Sequence, residues 1–269
     1  MTPRWRTATV ASGGEDIYYE VTGDDDAPVV VRTHGAGGSH AAWFQQVPVL
    51  CAAGYRVVTW DCRGFGRSTF TSGVLSTDAS VADLAAVFDA AGIERAHLAG
   101  QSMGGWWVTA FTLAHPERVR SLTLSNTVGG LWTDALLSHF ATFLSGAAAP
   151  EEVRLGVHSA LGPSFVVRDP ARAFLYQQLN TFHDPPMAAI ARALTGTRVE
   201  HAALDATGVP VLVITGTDDA LFPAPLVLES ASMLTGATTV EVADAGHSPY
   251  FERPDDYNAA LLTFLARIP

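Results

Sequence analysis

The sequence predicts an α/β protein: a mostly parallel, eight-stranded sheet flanked by helices, with one inserted helical cap. Short continuous β-branched runs such as Val29-Val30-Val31 have the texture of strands buried on both faces. Stretches of helical character separate those runs, giving a repeated βα alternation. From about Leu131 to Leu204 the strand-like runs stop, and they resume at Val209.

Taken in order, Trp5 to Val10 alternates, turns at Gly13-Gly14, and resumes at Ile17 to Val21, the pattern of an antiparallel hairpin at a sheet edge. Strands are predicted at Val29–Val31 and Tyr55–Thr59, with a helix around Trp43 to Ala53 between them. A helix from Val81 to Ala91 closes at Gly92, and a strand at Ala96–Ala99, a helix at Met103–His115 and a strand at Val119–Leu124 follow. After the insertion come strands at Val209–Ile214 and Thr239–Val242, with helices near Pro225–Leu234 and Asp255–Ala266. Within the insertion, Pro150-Glu151-Glu152 and Asp169-Pro170 read as helix starts, and Leu136, Leu137, Phe140, Phe143 and Leu144 recur at helical spacing as core contacts. The division expected is a core of residues 1–127 and 206–269 and a helical cap of residues 128–205.

The chain has 269 residues, 48% apolar and 16% charged, enough to bury a large single core. A formal net charge of −11, with no block of Lys and Arg, argues against a nucleic-acid partner. Asp24-Asp25-Asp26 reads as a solvated turn. Cys51 and Cys62 flank a predicted strand without disulfide or metal-ligand spacing and read as buried thiols in a reducing compartment. No apolar stretch is long enough to span a bilayer, and no apolar region follows Arg4 and Arg6 as in a secretory leader, so a cytoplasmic protein without membrane association is expected. Monomer and homodimer remain equally open.

Gly100-Gln101-Ser102-Met103-Gly104 carries the chemistry. A Gly-x-Ser-x-Gly sequence that leaves a strand and opens a helix is the context of a nucleophile elbow, where a strained serine stands exposed at the sheet's edge. A serine hydroxyl needs a base, and His247 in Ala245-Gly246-His247-Ser248-Pro249 follows the last strand on a loop able to reach that edge. The imidazole in turn needs a carboxylate, for which Asp218 and Asp219 compete on the loop after Val211–Ile214. Asp244, three residues before His247, reads as surface. His34 and His40 lack a carboxylate or thiolate cluster at ligand spacing, so neither metal nor cofactor is predicted.

The whole chain resembles the α/β-hydrolase fold superfamily, with its order of nucleophile, acid and histidine. In that superfamily the acid commonly lies four residues before a proline, which selects Asp219, before Pro223. The alternative acid position after the sixth strand holds Ser125-Asn126, a neutral amide. His34-Gly35-Ala36-Gly37-Gly38 resembles the family's His-Gly loop, which implies an oxyanion hole from the amides of Ala36 and Met103 and a structural His34. Gly35, Gly37 and Trp106 are the substrate-binding candidates, although core packing is the plainer role for Trp106 and its neighbour Trp107. Asp61-Cys62-Arg63-Gly64-Phe65-Gly66-Arg67-Ser68 resembles a family loop motif in which Asp61 and Arg63 are expected to pair and bind loop backbone.

The resemblance implies a serine hydrolase that cleaves a small-molecule carboxylic ester, lactone or related acyl substrate through an acyl-enzyme. A serine at the elbow argues against dehalogenase and epoxide hydrolase chemistry, which use aspartate there. A C–C bond hydrolase of the meta-cleavage type shares the Ser-Met-Gly-Gly elbow, but such enzymes often carry a tryptophan after the histidine, where this chain has Ser248. The arginine that would bind such a substrate's carboxylate has five unranked candidates, Arg154, Arg168, Arg172, Arg192 and Arg198. A lyase and a ligand sensor on the same scaffold are the further alternatives.

Overall fold

The structure, a computed structural model, describes residues 3–146 and 158–268. Its eight strands are β1 (Trp5–Ser12), β2 (Glu15–Thr22), β3 (Val29–Thr33), β4 (Arg56–Trp60), β5 (Ala96–Gln101), β6 (Val119–Ser125), β7 (Val211–Gly216) and β8 (Thr238–Val242). They form one sheet in the order β1-β2-β4-β3-β5-β6-β7-β8. The β1–β2 and β2–β4 pairs are antiparallel and every later pair is parallel, as the hairpin and the β-branched runs predict. Burial explains the two textures: β3, β4, β5 and β7 are buried along their length, whereas the edge strand β8 alternates.

Helices cover both faces, and the alternation of side chains along each strand divides the core accordingly. On one face Val29, Val31 and Val213 pack with Val87 and Phe88 of α2 (Thr77–Ala90) and with Trp106, Trp107 and Phe111 of α3 (Met103–Ala114). On the other, Val30, Leu212 and Ile214 pack with Leu50 of α1 (Val47–Ala52) and with Tyr257, Leu261 and Phe264 of a C-terminal helix, Pro254–Leu265. The helix expected around Trp43 to Ala53 is two pieces, a 3₁₀ turn at His40–Trp43 and then α1, with Pro48 in the first turn of α1 where a missing N–H is tolerated. α2 begins four residues before the expected Val81 because Ser76 caps it, its hydroxyl accepting from the Ala79 N–H at 3.2 Å.

Between β6 and β7 lie α4 (Asp134–Gly146), α5 (Phe165–Arg168), α6 (Pro170–Leu179), α7 (Met187–Thr195) and α8 (His201–Asp205), with no named strand among the described residues. Asp169 caps α6 by accepting from the Arg172 N–H, with Pro170 in the first turn. The helix start expected at Pro150-Glu151-Glu152, and Arg154, lie outside the described residues. The C-terminal part contains α9 (Ala224–Ser232), the single turn α10 (Pro249–Glu252) and α11, the C-terminal helix above. Among the described residues no helix is long and apolar enough to cross a membrane. Cys62 is buried and free as expected, while Cys51, also free, is half-buried.

The strand order places the site. From β3 the chain returns to pair at β4 on one side, then crosses to β5 on the other, so the loops leaving β3 and β5 diverge and leave a crevice at the carboxyl ends of these strands. The His34 loop and Ser102 stand on its two sides.

Candidate active site

Ser102 joins β5 to α3 with φ 49° and ψ −122°, a strained conformation for a non-glycine residue. The turn needs Gly104, because a Cβ there would stand 2.5 Å from the His34 carbonyl oxygen. The turn is fastened from below: Ser102 N–H donates to the Ser125 carbonyl at 3.0 Å, and Thr127 Oγ1 donates to the Ser102 carbonyl at 2.8 Å.

His247, on the loop after β8, is 4% exposed, and its Nδ1 lies 2.8 Å from Asp219 Oδ2. Of the two competing aspartates it is therefore Asp219 that meets the imidazole; Asp218 is exposed and accepts from the Thr217 hydroxyl. Asp219 Oδ1 accepts from the amides of Leu221 and Phe222 at 2.9 and 3.0 Å, which fixes the carboxylate's plane. A carboxylate accepts only, so Nδ1 carries the proton and Nε2 presents its lone pair. Nε2 is buried and has no hydrogen-bond partner among the described residues, so a bond from Ser102 Oγ is not formed here, as is common before substrate tightens such sites. Ser102 and His247 line the same cavity. Asp244 is exposed and pairs with Arg253 at 2.6 Å.

The His34 loop is tied down through its own imidazole. His34 Nε2 accepts from the Cys62 N–H at 3.0 Å, which leaves Nδ1 as the donor to the Gly35 carbonyl at 2.8 Å. Burial holds its pKa below the ordinary imidazole value, and both nitrogens are occupied within the fold. Gly35 lets this loop approach the elbow, because a Cβ there would strike the Gln101 side chain and come within 3.0 Å of Ser102 Cβ. Ala36 reaches the cavity.

That cavity holds about 140 Å³ at the β3/β5 crevice, walled by Phe140, Phe143, Leu144, Ile190, Leu194 and Phe222, with Gln101, His158, Ser159 and Tyr176 as its polar lining. The α4 residues Phe140, Phe143 and Leu144, read from sequence as core contacts, thus also face the cavity. A larger open groove of about 480 Å³ lies by β1 and β2, against Trp5, Glu20, His40 and Phe44, and includes neither Ser102 nor His247. Ser102 and His247 both line the smaller, more enclosed space.

Three sequence expectations are corrected. Trp106 is fully buried behind the cavity, its Nε1 donating to the Leu194 carbonyl at 3.1 Å and its ring lying 5.9 Å from Phe222, so it supports two lining residues without being one. Gly35 and Gly37 are not lining residues either, Gly37 packing against Asn180. Asp61 and Arg63 do not pair: Arg63 forms a two-pronged bridge to Asp83 of α2 at 2.6 and 2.7 Å, while Asp61 accepts from His40 Nδ1 and the Arg67 amide, both at 2.9 Å. Burial alone would lower the His40 pKa, but its bonds to Asp61 raise it above the ordinary value.

Two residues escaped the sequence reading. Asn126, set aside as a neutral amide in the alternative acid position, donates to Asp219 Oδ2 at 2.8 Å and to the Gly246 carbonyl at 3.2 Å. Glu252 of α10 is 3% exposed, and its two oxygens accept from the Gly162 and Gly246 amides at 2.9 Å each, joining the segment before α5 to the histidine loop. Burial pushes its carboxyl up to about 7.

A strained serine at the strand-to-helix turn, a carboxylate-held histidine and a doubly wound sheet define an α/β hydrolase, and the alpha/beta hydrolase fold family matches residues 28–254. The chain belongs to that family. It is 33% identical to the "Putative carbamate hydrolase RutD" of Azorhizobium caulinodans, over 96% of this chain and 98% of the relative. It is 28% identical to a 2-hydroxy-6-oxononadienedioate/2-hydroxy-6-oxononatrienedioate hydrolase of Paraburkholderia phymatum, over 96% and 94% respectively. A thermophilic esterase from Thermogutta terrifontis superposes with a TM-score of 0.81 at 25% identity, covering 97% of this chain and 98% of that one.

Proposed function

We propose that the chain is a serine hydrolase of small, largely apolar carboxylic esters, lactones or related acyl substrates, with Ser102 as nucleophile, His247 as base and then acid, and Asp219 as the orienting carboxylate. The observation that carries this reading is the buried Asp219–His247 pair at 2.8 Å, whose unpartnered Nε2 borders the cavity that Ser102 lines. Ser102 Oγ attacks the carbonyl carbon as His247 Nε2 takes its proton, and Asp219 stabilises the imidazolium. The Ala36 and Met103 amides receive the oxyanion, Met103 opening the 12-residue α3 whose N-terminal dipole favours negative charge. Collapse expels the leaving group with the His247 proton, and water, deprotonated by His247, releases the acid and restores Ser102.

The described lining is mostly apolar, which suits a small, uncharged acyl substrate. Hydrolysis of p-nitrophenyl esters of graded chain length by the wild type and by Ser102→Ala tests the reading. The expected result is turnover of short esters and a loss of about 10⁶-fold in kcat in the variant; equal rates in the two proteins would overturn it.

A further inference from the structure

His158 is a polar group on an otherwise mostly apolar wall, and the mechanism above does not use it. Its Nδ1 accepts from the Ala160 N–H at 3.1 Å, so the ring proton sits on Nε2. Nε2 has no partner among the described residues, and the side chain lines the cavity. Burial, with a smaller contribution from His247, lowers its pKa to about 4, so at neutral pH it is an uncharged donor.

The surrounding structure holds the ring in place. It meets Tyr176 edge-on with centroids 5.0 Å apart, and the Tyr176 hydroxyl is bonded at 2.7 Å to Ser248 Oγ, beside His247. Four residues along, Gly162 is pinned to Glu252, and a Cβ at Gly246 would strike the Gly162 backbone, so this segment and the histidine loop are in direct contact. Of the other polar lining groups, Gln101 donates to the His247 carbonyl at 3.0 Å and Tyr176 is engaged with Ser248, whereas Ser159 is exposed. His158 is half-buried, so its Nε2–H stands at the cavity as a donor whose hydrogen bond a ligand oxygen can complete.

We propose that His158 is a specificity residue whose Nε2–H binds an acceptor oxygen on the leaving-group portion of the substrate, so that the preferred substrates are esters or lactones carrying a second, uncharged oxygen there. The leaving-group side follows from the chain of contacts through Tyr176 and Ser248 to His247, the group that protonates the leaving oxygen. This rests on the serine-hydrolase reading above.

The test compares 2-methoxyethyl acetate with n-butyl acetate, two esters of one length that differ by an ether oxygen in the alcohol. Wild type is expected to favour the ether in kcat/KM, and His158→Phe to lower that preference about five- to tenfold, the worth of one neutral hydrogen bond. His158→Gln, which keeps an N–H donor, should recover part of it and serves if the Phe variant fails to melt cooperatively. A preference that is absent in wild type, or the same in wild type and both variants, overturns the assignment. Labelling of wild-type Ser102 by a fluorophosphonate separates the two readings: labelling with no ether preference sinks the His158 role alone, whereas no labelling sinks the hydrolase reading on which it rests.

Discussion

Asn126 donates to Asp219 Oδ2 at 2.8 Å, to the same oxygen that faces His247 Nδ1. The amide thus occupies the place from which the family's alternative acid would come and holds the carboxylate proposed here as the acid. Asn126 also reaches the Gly246 carbonyl, so one side chain fixes both the carboxylate and the loop carrying His247. Asn126→Ala removes a bond to a charged acceptor, worth about 1.5–3 kcal/mol, and is expected to lower kcat by roughly 10- to 100-fold. Steady-state kinetics on a short p-nitrophenyl ester check this, and a rate within twofold of wild type would show that the backbone amides suffice to orient Asp219.

Glu252 ties pH to stability. Its carboxyl is raised from 4.5 to about 7, so between these values the folded state holds a proton that the unfolded state has released. Its contribution is therefore fully present below about 4.5 and is lost as pH rises to about 7. His97 and His158, both lowered from 6.5 to about 4 chiefly by burial, act in the opposite sense, their contributions being lost as pH falls through that window. Urea unfolding of wild type and Glu252→Gln from pH 4.5 to 7.5 isolates the carboxyl. The wild-type-minus-variant stability should decline as pH rises, and a flat difference would refute the assignment.

Arg63 and Asp83 are 4% and 0% exposed in their side chains and meet in a two-pronged bridge, so removing one strands the other. Arg63→Ala is expected to lower stability by about 3–5 kcal/mol, and the double variant with Asp83→Ala to recover a large part of that loss. Denaturant titrations of the four proteins in the cycle measure the coupling; additive losses would mean the bridge contributes nothing beyond its separate ends.

The legibility of the molecule follows from the range of its interactions. β-branched runs predict the strands because burial on both faces imposes a local composition, and Val29 to Val31 suffice to mark β3. The Gly-x-Ser-x-Gly turn is legible because its steric demands fall on adjacent residues. Asp219 is narrowed to two candidates by its loop and chosen by resemblance. Asn126 and Glu252 are not legible, since Asp219 lies 93 residues from the one and Gly162 lies 90 from the other, and neither residue type announces a buried donor or acceptor. The Asp61–Arg63 expectation failed for the same reason: the partner of Arg63 is on a helix 20 residues on.

The seam at Gly162 and Gly246 bears on how the protein can diversify. Ser102, Asp219 and His247 all lie on loops at the sheet's edge, while Phe140, His158, Tyr176 and Leu194 come from the segment between β6 and β7. On the proposed reading the reacting groups lie outside the intervening segment, which supplies much of the cavity wall, while Ala36, Gln101, Leu221 and Phe222 supply the rest. Rewriting that segment has one boundary condition, because a side chain at Gly246 would collide with the backbone at Gly162, and the Glu252 carboxylate needs both amides. A transplanted segment from a relative would retarget the enzyme only if it arrived with a backbone that fits this seam.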